Sequence, residues 1–262
     1  MNTKTTVISQ EQLTNQFSCC DKIAAYWQNE GIVPTAYVET YGCQQNEADS
    51  EKLRGYLVQS GYSIVQEAEG ADVVIMNTCA IREHAEQRVF GNLGALTHTK
   101  RRHPGQKIFL CGCMAGETKV SDRIKKSYPH VDGVFSTHHL WQVPEILWNV
   151  LNKKKRQFFI EDEPGSIAEG IPQVRDSKLK AWISIMYGCN NFCTTASFPT
   201  SAAGSAAACR RTFWLSAVQS SKQAPRRSPC WVRTSTLTAR TWAAAWILRT
   251  CWMPSPRFPV IF

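Results

Sequence analysis

Cys43, Cys79 and Cys113 are the residues best placed to do chemistry. They are three thiols separated by 36 and 34 residues, and Gly42 and Gly112 directly precede two of them. Thiolate is the ligand that iron–sulfur clusters and zinc both select. The chain has 11 cysteines and no apolar stretch of signal-peptide type between Met1 and Pro34, which favours metal or redox chemistry over a disulfide framework. A second pair, Cys189 and Cys193, stands in a C-x-x-x-C spacing after an apolar run at 181–186. That run reads as a strand delivering two thiolates into a loop.

The elements that must position these thiols alternate in α/β fashion from Thr35 onward. Residues 35–42 are strand-like, and 46–60 read as a helix with Leu53, Tyr56 and Leu57 on one face and Gly61 as its stop. Residues 71–76 form a buried strand through the unbroken run Val73, Val74, Ile75. A helix over 82–102 stops before Pro104. Strands at 107–110 and 131–135 and helices at 117–128 and 140–155 complete a doubly wound domain, with Pro144 tolerable only in a first turn. Residues 157–160 add an edge strand. The expected organisation is a leader (1–34), the α/β domain (35–156), a linker (157–180), a strand that opens a further domain (181–194) and an anomalous tail (195–262).

On this map Cys43, Cys79 and Cys113 each fall just beyond the carboxyl end of a strand. In an open parallel sheet those ends share one edge, where ligands bind. Three thiols can therefore meet there, with helices starting after each to favour thiolate. Cys111 sits inside a strand and reads as core. Cys19 and Cys20 lie in the helical leader, facing different ways. His84, His138 and His139 lack metal spacing. Asp49 and Glu51 favour a helix amino terminus, with a supporting role beside Cys43 left open. The run Lys153-Lys154-Lys155-Arg156 reads as a solvated helix end.

The motif residues resemble one family closely. Thr40-Tyr41-Gly42-Cys43-Gln44-Gln45-Asn46, Asn77-Thr78-Cys79-Ala80-Ile81-Arg82-Glu83 and Gly112-Cys113-Met114-Ala115 are similar to the three cysteine motifs of the methylthiotransferase amino-terminal domain. Cys189 and Cys193 resemble the first two cysteines of the C-x-x-x-C-x-x-C motif of radical S-adenosylmethionine enzymes. The third position holds Ala196. The resemblance covers about residues 35–194. It implies an auxiliary 4Fe–4S cluster on Cys43, Cys79 and Cys113, with one open iron carrying the sulfur to be inserted. It further implies a radical 4Fe–4S cluster with S-adenosylmethionine on Cys189, Cys193 and the missing cysteine. The implied reaction is methylthiolation of C2 of an isopentenylated adenosine beside the anticodon of tRNA, with tRNA and an electron donor as partners. The alternatives are a methylthiotransferase acting on threonylcarbamoyl-adenosine tRNA and a non-catalytic iron–sulfur-binding fragment.

The tail limits that expectation. Residues 195–262 hold no Asp or Glu, one Lys (Lys222) and eight Arg, so the chain's whole net charge of +9 arises there. An excess confined to one anomalous segment does not argue for a nucleic-acid partner as a distributed one would. Five of the nine Trp lie in it without helical or strand period. A one-base shift of frame at Thr195 accounts for this: Thr195-Ala196-Ser197-Phe198-Pro199-Thr200 can be re-read as Y-C-I-V-P-Y, which restores a cysteine. On this reading no catalytic set is intact and the chain as written is inactive, with an unstructured tail. With no span of about 20 apolar residues, the expectation is a cytoplasmic monomer without membrane contact.

Overall fold

The computed structural model describes residues 6–79, 83–153, 155–160, 166–175, 186–187 and 206–207. The chain divides into two units, Met1–Val174 and Arg175–Phe262.

The first unit opens with β1 (Thr6–Val7) and α1 (Gln10–Glu30). A capping box sets the start of α1. The Ser9 hydroxyl accepts the Gln12 N–H at 3.2 Å, and the Gln12 side-chain oxygen accepts the Ser9 N–H at 2.9 Å. Gly31 ends the helix in the left-handed conformation at φ +67°. Then follow β2 (Thr35–Tyr41), α2 (Gln44–Gln59), β3 (Ser63–Ile64), β4 (Val73–Thr78), α3 (Glu83–Arg102) and β5 (Lys107–Gly112). A 3₁₀ turn (Met114–Gly116) precedes α4 (Thr118–Ser127), which leads to β6 (Gly133–Phe135). A second 3₁₀ turn (Thr137–Gln142) runs into α5 (Val143–Lys153), then β7 (Gln157–Phe159) and β8 (Ser166–Ile167).

Six strands form one sheet in the order β3-β2-β4-β5-β6-β7, and every pair is parallel. From β2 the chain steps outward to β3, then returns past β2 to β4 and continues the other way. The order therefore reverses between β2 and β4, which makes a topological switch point where open α/β sheets take ligands.

Parallel strands are covered on both faces, and the alternation along β4 shows how. Val73 and Ile75 join a core formed with Ile23 of α1, Leu57 of α2 and Leu147 of α5. Val74 and Met76 join a second core with Leu93 of α3 and Ile124 of α4. All four strand residues are essentially inaccessible to water. Helix α1 thus contributes directly to a core, and its adjacent cysteines divide as expected, with Cys20 buried and Cys19 partly so.

Observed boundaries differ from the sequence reading by a residue or two in most elements. β3 was not anticipated, since two residues carry no periodic signal. The helix expected over 140–155 divides into a 3₁₀ turn and α5. Helix α4 does not follow Cys113 directly, because a single 3₁₀ turn comes first and an extended Glu117 (φ −79°, ψ 125°) separates it from α4. Beyond β7, β8 pairs in parallel with β1, and the Val174 N–H reaches the Glu51 carbonyl at 2.9 Å.

In the second unit the described elements are β9 (Met186–Tyr187) and β10 (Ala206–Ala207), paired antiparallel. The strand expected over 181–186 contributes only its last residue to the described region. The tail expected to be unstructured supplies β10. Cys189, Cys193 and Ala196 lie outside the described residues.

Candidate metal centre

Cys43, Cys79 and Cys113 follow β2, β4 and β5, three adjacent strands, at their carboxyl ends. The first two occupy the switch point. Glycine is required beside them by space. A Cβ on Gly42 would lie 2.4 Å from Asn46 Oδ1 and 2.7 Å from Cys79 Cβ. One on Gly112, at φ +100°, would lie 2.2 Å from the Thr78 carbonyl oxygen.

Cys43 caps the amino terminus of α2. Its thiol is pushed down to about 5, chiefly by a hydrogen bond from the Cys79 thiol and then, against burial, by backbone N–H groups of Asn46, Gln45 and Cys43 itself. A lowered thiol favours the thiolate form that a metal ligand must take. Cys113 behaves oppositely. Burial of its sulfur, with the Asp49 and Cys43 charges, raises its thiol, while a contact to Thr137 Oγ1 at 3.7 Å opposes the rise. The difference has a structural cause: Cys43 accepts from the Cys79 thiol and from backbone N–H groups at the head of α2, whereas for Cys113 burial outweighs its contact to Thr137.

The expectation that all three thiols converge therefore needs a correction. Cys43 and Cys79 meet, whereas Cys113 stands on the next strand end beside Thr137. Among the described residues no three His, Cys, Asp or Glu side chains are gathered to hold a metal ion. The donor set still suits an iron–sulfur cluster, because every candidate is a thiol and Cys43 is lowered toward its thiolate.

The other sequence candidates resolve individually. Cys111 is buried within β5, and burial raises its thiol well above the ordinary range. Asp49 is buried, pairs with Lys52 at 3.1 Å and accepts from Gln45 Nε2 at 3.1 Å. It lies close enough for its charge to act on Cys113. Glu51 is also buried. His139 is buried with Nδ1 2.9 Å from Ser136 Oγ, His138 is half-buried, and the side chain of His84 lies outside the described residues. Arg156 is not a solvated helix end. Its guanidinium donates to the carbonyls of Ile124, Lys125, Tyr128 and Val131 at 2.7–3.3 Å, capping α4.

Sequence reasoning missed a buried amide pair beneath the thiols. Asn46 Nδ2 donates to Asn77 Oδ1 and to the Thr78 carbonyl, each at 3.1 Å. Asn77 Nδ2 donates to the Asn46 carbonyl at 2.8 Å and to Ser50 Oγ at 3.0 Å. The available signal was a polar Asn77 ending the apolar run of β4.

Fold and edge chemistry define the class: a doubly wound α/β domain that presents thiols at its switch point. Residues 35–136 match the model of a family described as Uncharacterized protein family UPF0004. The chain is 43% identical to the tRNA-2-methylthio-N(6)-dimethylallyladenosine synthase of Thermoanaerobacter sp. (strain X514) over 187 residues, 71% of this chain and 39% of that protein. To the synthase of the same name from Clostridioides difficile (strain 630) it is 44% identical over 169 residues, 64% of this chain and 35% of that protein. To that of Clostridium perfringens (strain 13 / Type A) it is 46% identical over 157 residues, again 35% of the relative. The chain is thus similar to these synthases over 60–71% of its own residues, and it spans between 35% and 39% of their length.

Proposed function

We propose that residues 35–136 are the cluster-binding domain of a tRNA methylthiotransferase, with Cys43, Cys79 and Cys113 as ligands of an auxiliary 4Fe–4S cluster. The observation that carries this reading is the meeting of Cys43 and Cys79 at the β2/β4 switch point, with Cys113 one strand away. Such a cluster, held by three thiolates, leaves one iron free to take an exogenous sulfur ligand. The chain's own part is to present the thiols, to lower that of Cys43 through Cys79 and the backbone at the head of α2, and to wall off the inner side with buried Asn46 and Asn77. The relatives' names supply the reaction class: methylthio transfer to an isopentenylated adenosine of tRNA. A single-stranded loop base can be splayed out to a protein site of this kind.

Catalysis also calls for the radical cluster of S-adenosylmethionine chemistry, an electron donor and RNA contacts. Cys189 and Cys193 are two thirds of the thiolate set, and Ala196 has no donor atom. The chain as written therefore binds the auxiliary cluster without turning over, and its tail is the product of a one-base shift of frame. Resequencing across codons 194 and 195 tests the last point. A restored base or a confirmed pseudogene agrees with it, whereas a folded tail protected from hydrogen exchange across residues 214–252 contradicts it.

Anaerobic reconstitution with iron and sulfide tests the cluster. The expected product is a brown protein with about four irons per chain, the content of one such cluster. A colourless protein that takes up zinc instead favours a zinc module, for which a fourth ligand is needed.

A further inference from the structure

The buried amides beneath the thiols form a closed set of hydrogen bonds that joins two loops far apart in sequence. Asn46 belongs to the first turn of α2 and Asn77 to the last residues of β4. Both are 2% exposed or less. Every polar atom of the two side chains is engaged. Asn46 Oδ1 accepts the Cys43 N–H at 3.2 Å and lies 3.4 Å from Cys43 Sγ, while its Nδ2 spans to Asn77 and Thr78. Asn77 answers with its own Nδ2 on the Asn46 carbonyl and on Ser50 Oγ, which in turn meets Thr40 Oγ1 at 2.7 Å. Thr78 immediately precedes Cys79, so this set grips the backbone on both sides of the Cys43–Cys79 contact. Cys113 has no part in it and touches Thr137 instead.

A buried polar network of this kind is costly unless it is complete, and when complete it fixes one geometry. Val, Ile or Leu at either position would fill space at lower desolvation cost, but could not set the loops' register. The remaining question is what is fixed. The approach of the two loops is so close that a single carbon on Gly42 would collide with both Asn46 and Cys79.

We infer that Asn46 and Asn77 are positioning residues that hold Cys43 and Cys79 as a preassembled two-thiol clamp, with Cys113 closing on the bound group as the third arm. This rests on the cluster-binding reading of the three cysteines, but its test does not need a cluster. In the metal-free full-length chain, dibromobimane bridges thiols that lie close together, and the Cys43–Cys79 bridge is identified by peptide mass spectrometry. The unmodified chain bridges this pair faster than it bridges Cys113 to either. In Asn77→Ala and in Asn46→Ala, each of which removes at least three of these hydrogen bonds, the Cys43–Cys79 bridging rate falls by at least about tenfold, the factor that one or two net bonds make in the population of a close pair.

Gln106 supplies the control. It is just as buried and donates to the Ala68 and Ala71 carbonyls, next to the amino ends of the strands and away from the thiols. Gln106→Ala lowers the melting temperature yet leaves the bridging rate unchanged. Should an Asn→Ala chain fail to fold, Ser50→Ala removes a single partner of Asn77, and a smaller slowing of the same bridge is expected. Folded Asn77→Ala or Ser50→Ala protein that bridges at the unmodified rate overturns the inference, as does equal slowing by Gln106→Ala. Iron uptake by the unmodified chain is scored separately. If it fails while bridging behaves as expected, the clamp stands and the cluster reading falls.

Discussion

Cys43 and Cys20 carry the same functional group and should behave as opposite reagents. Cys43 is exposed at a helix amino terminus, and its thiol is lowered to about 5. Cys20 is buried, and loss of water pushes its thiol up to about 11. In metal-free protein, iodoacetamide labelling of Cys43 should rise with a midpoint near pH 5, whereas an ordinary thiol titrates near 8.5 and Cys20 stays unlabelled at neutral pH. The linkage has a definite sign. A group whose folded value lies below its unfolded one adds stability in full above the unfolded value, and loses it as pH falls toward the folded value. The stability difference between the unmodified chain and Cys43→Ser should therefore grow from pH 5 to about 8.5. A difference that is flat with pH would show that Cys43 is an ordinary thiol.

At the scale of elements, the two glycines and the arginine cap make separable predictions. Gly112→Ala places a methyl against the Thr78 backbone at φ +100° and should cost on the order of 2–4 kcal/mol, read as a lower urea midpoint. Gly91, whose added Cβ meets nothing within 4 Å, accepts the same substitution with no comparable loss. Arg156→Ala removes a donor from four carbonyls near the end of α4, of which those of Ile124 and Tyr128 keep a backbone N–H, and should cost about 1–3 kcal/mol. A melting temperature unchanged from that of the intact chain would return Arg156 to the solvated role its sequence suggested. These cases mark what the sequence made legible. Strand ends at Cys43, Cys79 and Cys113 followed from apolar runs and turn residues. Contacts between runs did not, because Arg156 reaches α4 across about 30 residues and Asn46 reaches Asn77 across 31. The 3₁₀ turn after Cys113 was hidden for a related reason. It depends on the local backbone at Gly116 and Glu117, and a helical periodicity cannot distinguish it from a first α-turn.

For the whole molecule, the sheet order and the cysteine positions are the basis of the proposal that the three strand ends around the switch point form one iron–sulfur site. The residues that match the family model, 35–136, contain all three cysteines, and Ala196, which has no donor atom, leaves the second thiolate set one short. A chain of this design should yield no methylthio nucleoside from isopentenylated tRNA, S-adenosylmethionine and reductant; detection of that nucleoside by mass spectrometry would show that the second site is complete after all. The most direct measurement is iron and sulfide content after anaerobic reconstitution, taken one cysteine at a time. Cys43→Ala, Cys79→Ala and Cys113→Ala should each abolish the brown chromophore and most of the iron, while Cys111→Ala and Cys193→Ala retain about four irons per chain. Full iron in Cys113→Ala, or loss of iron only in Cys193→Ala, would contradict the account.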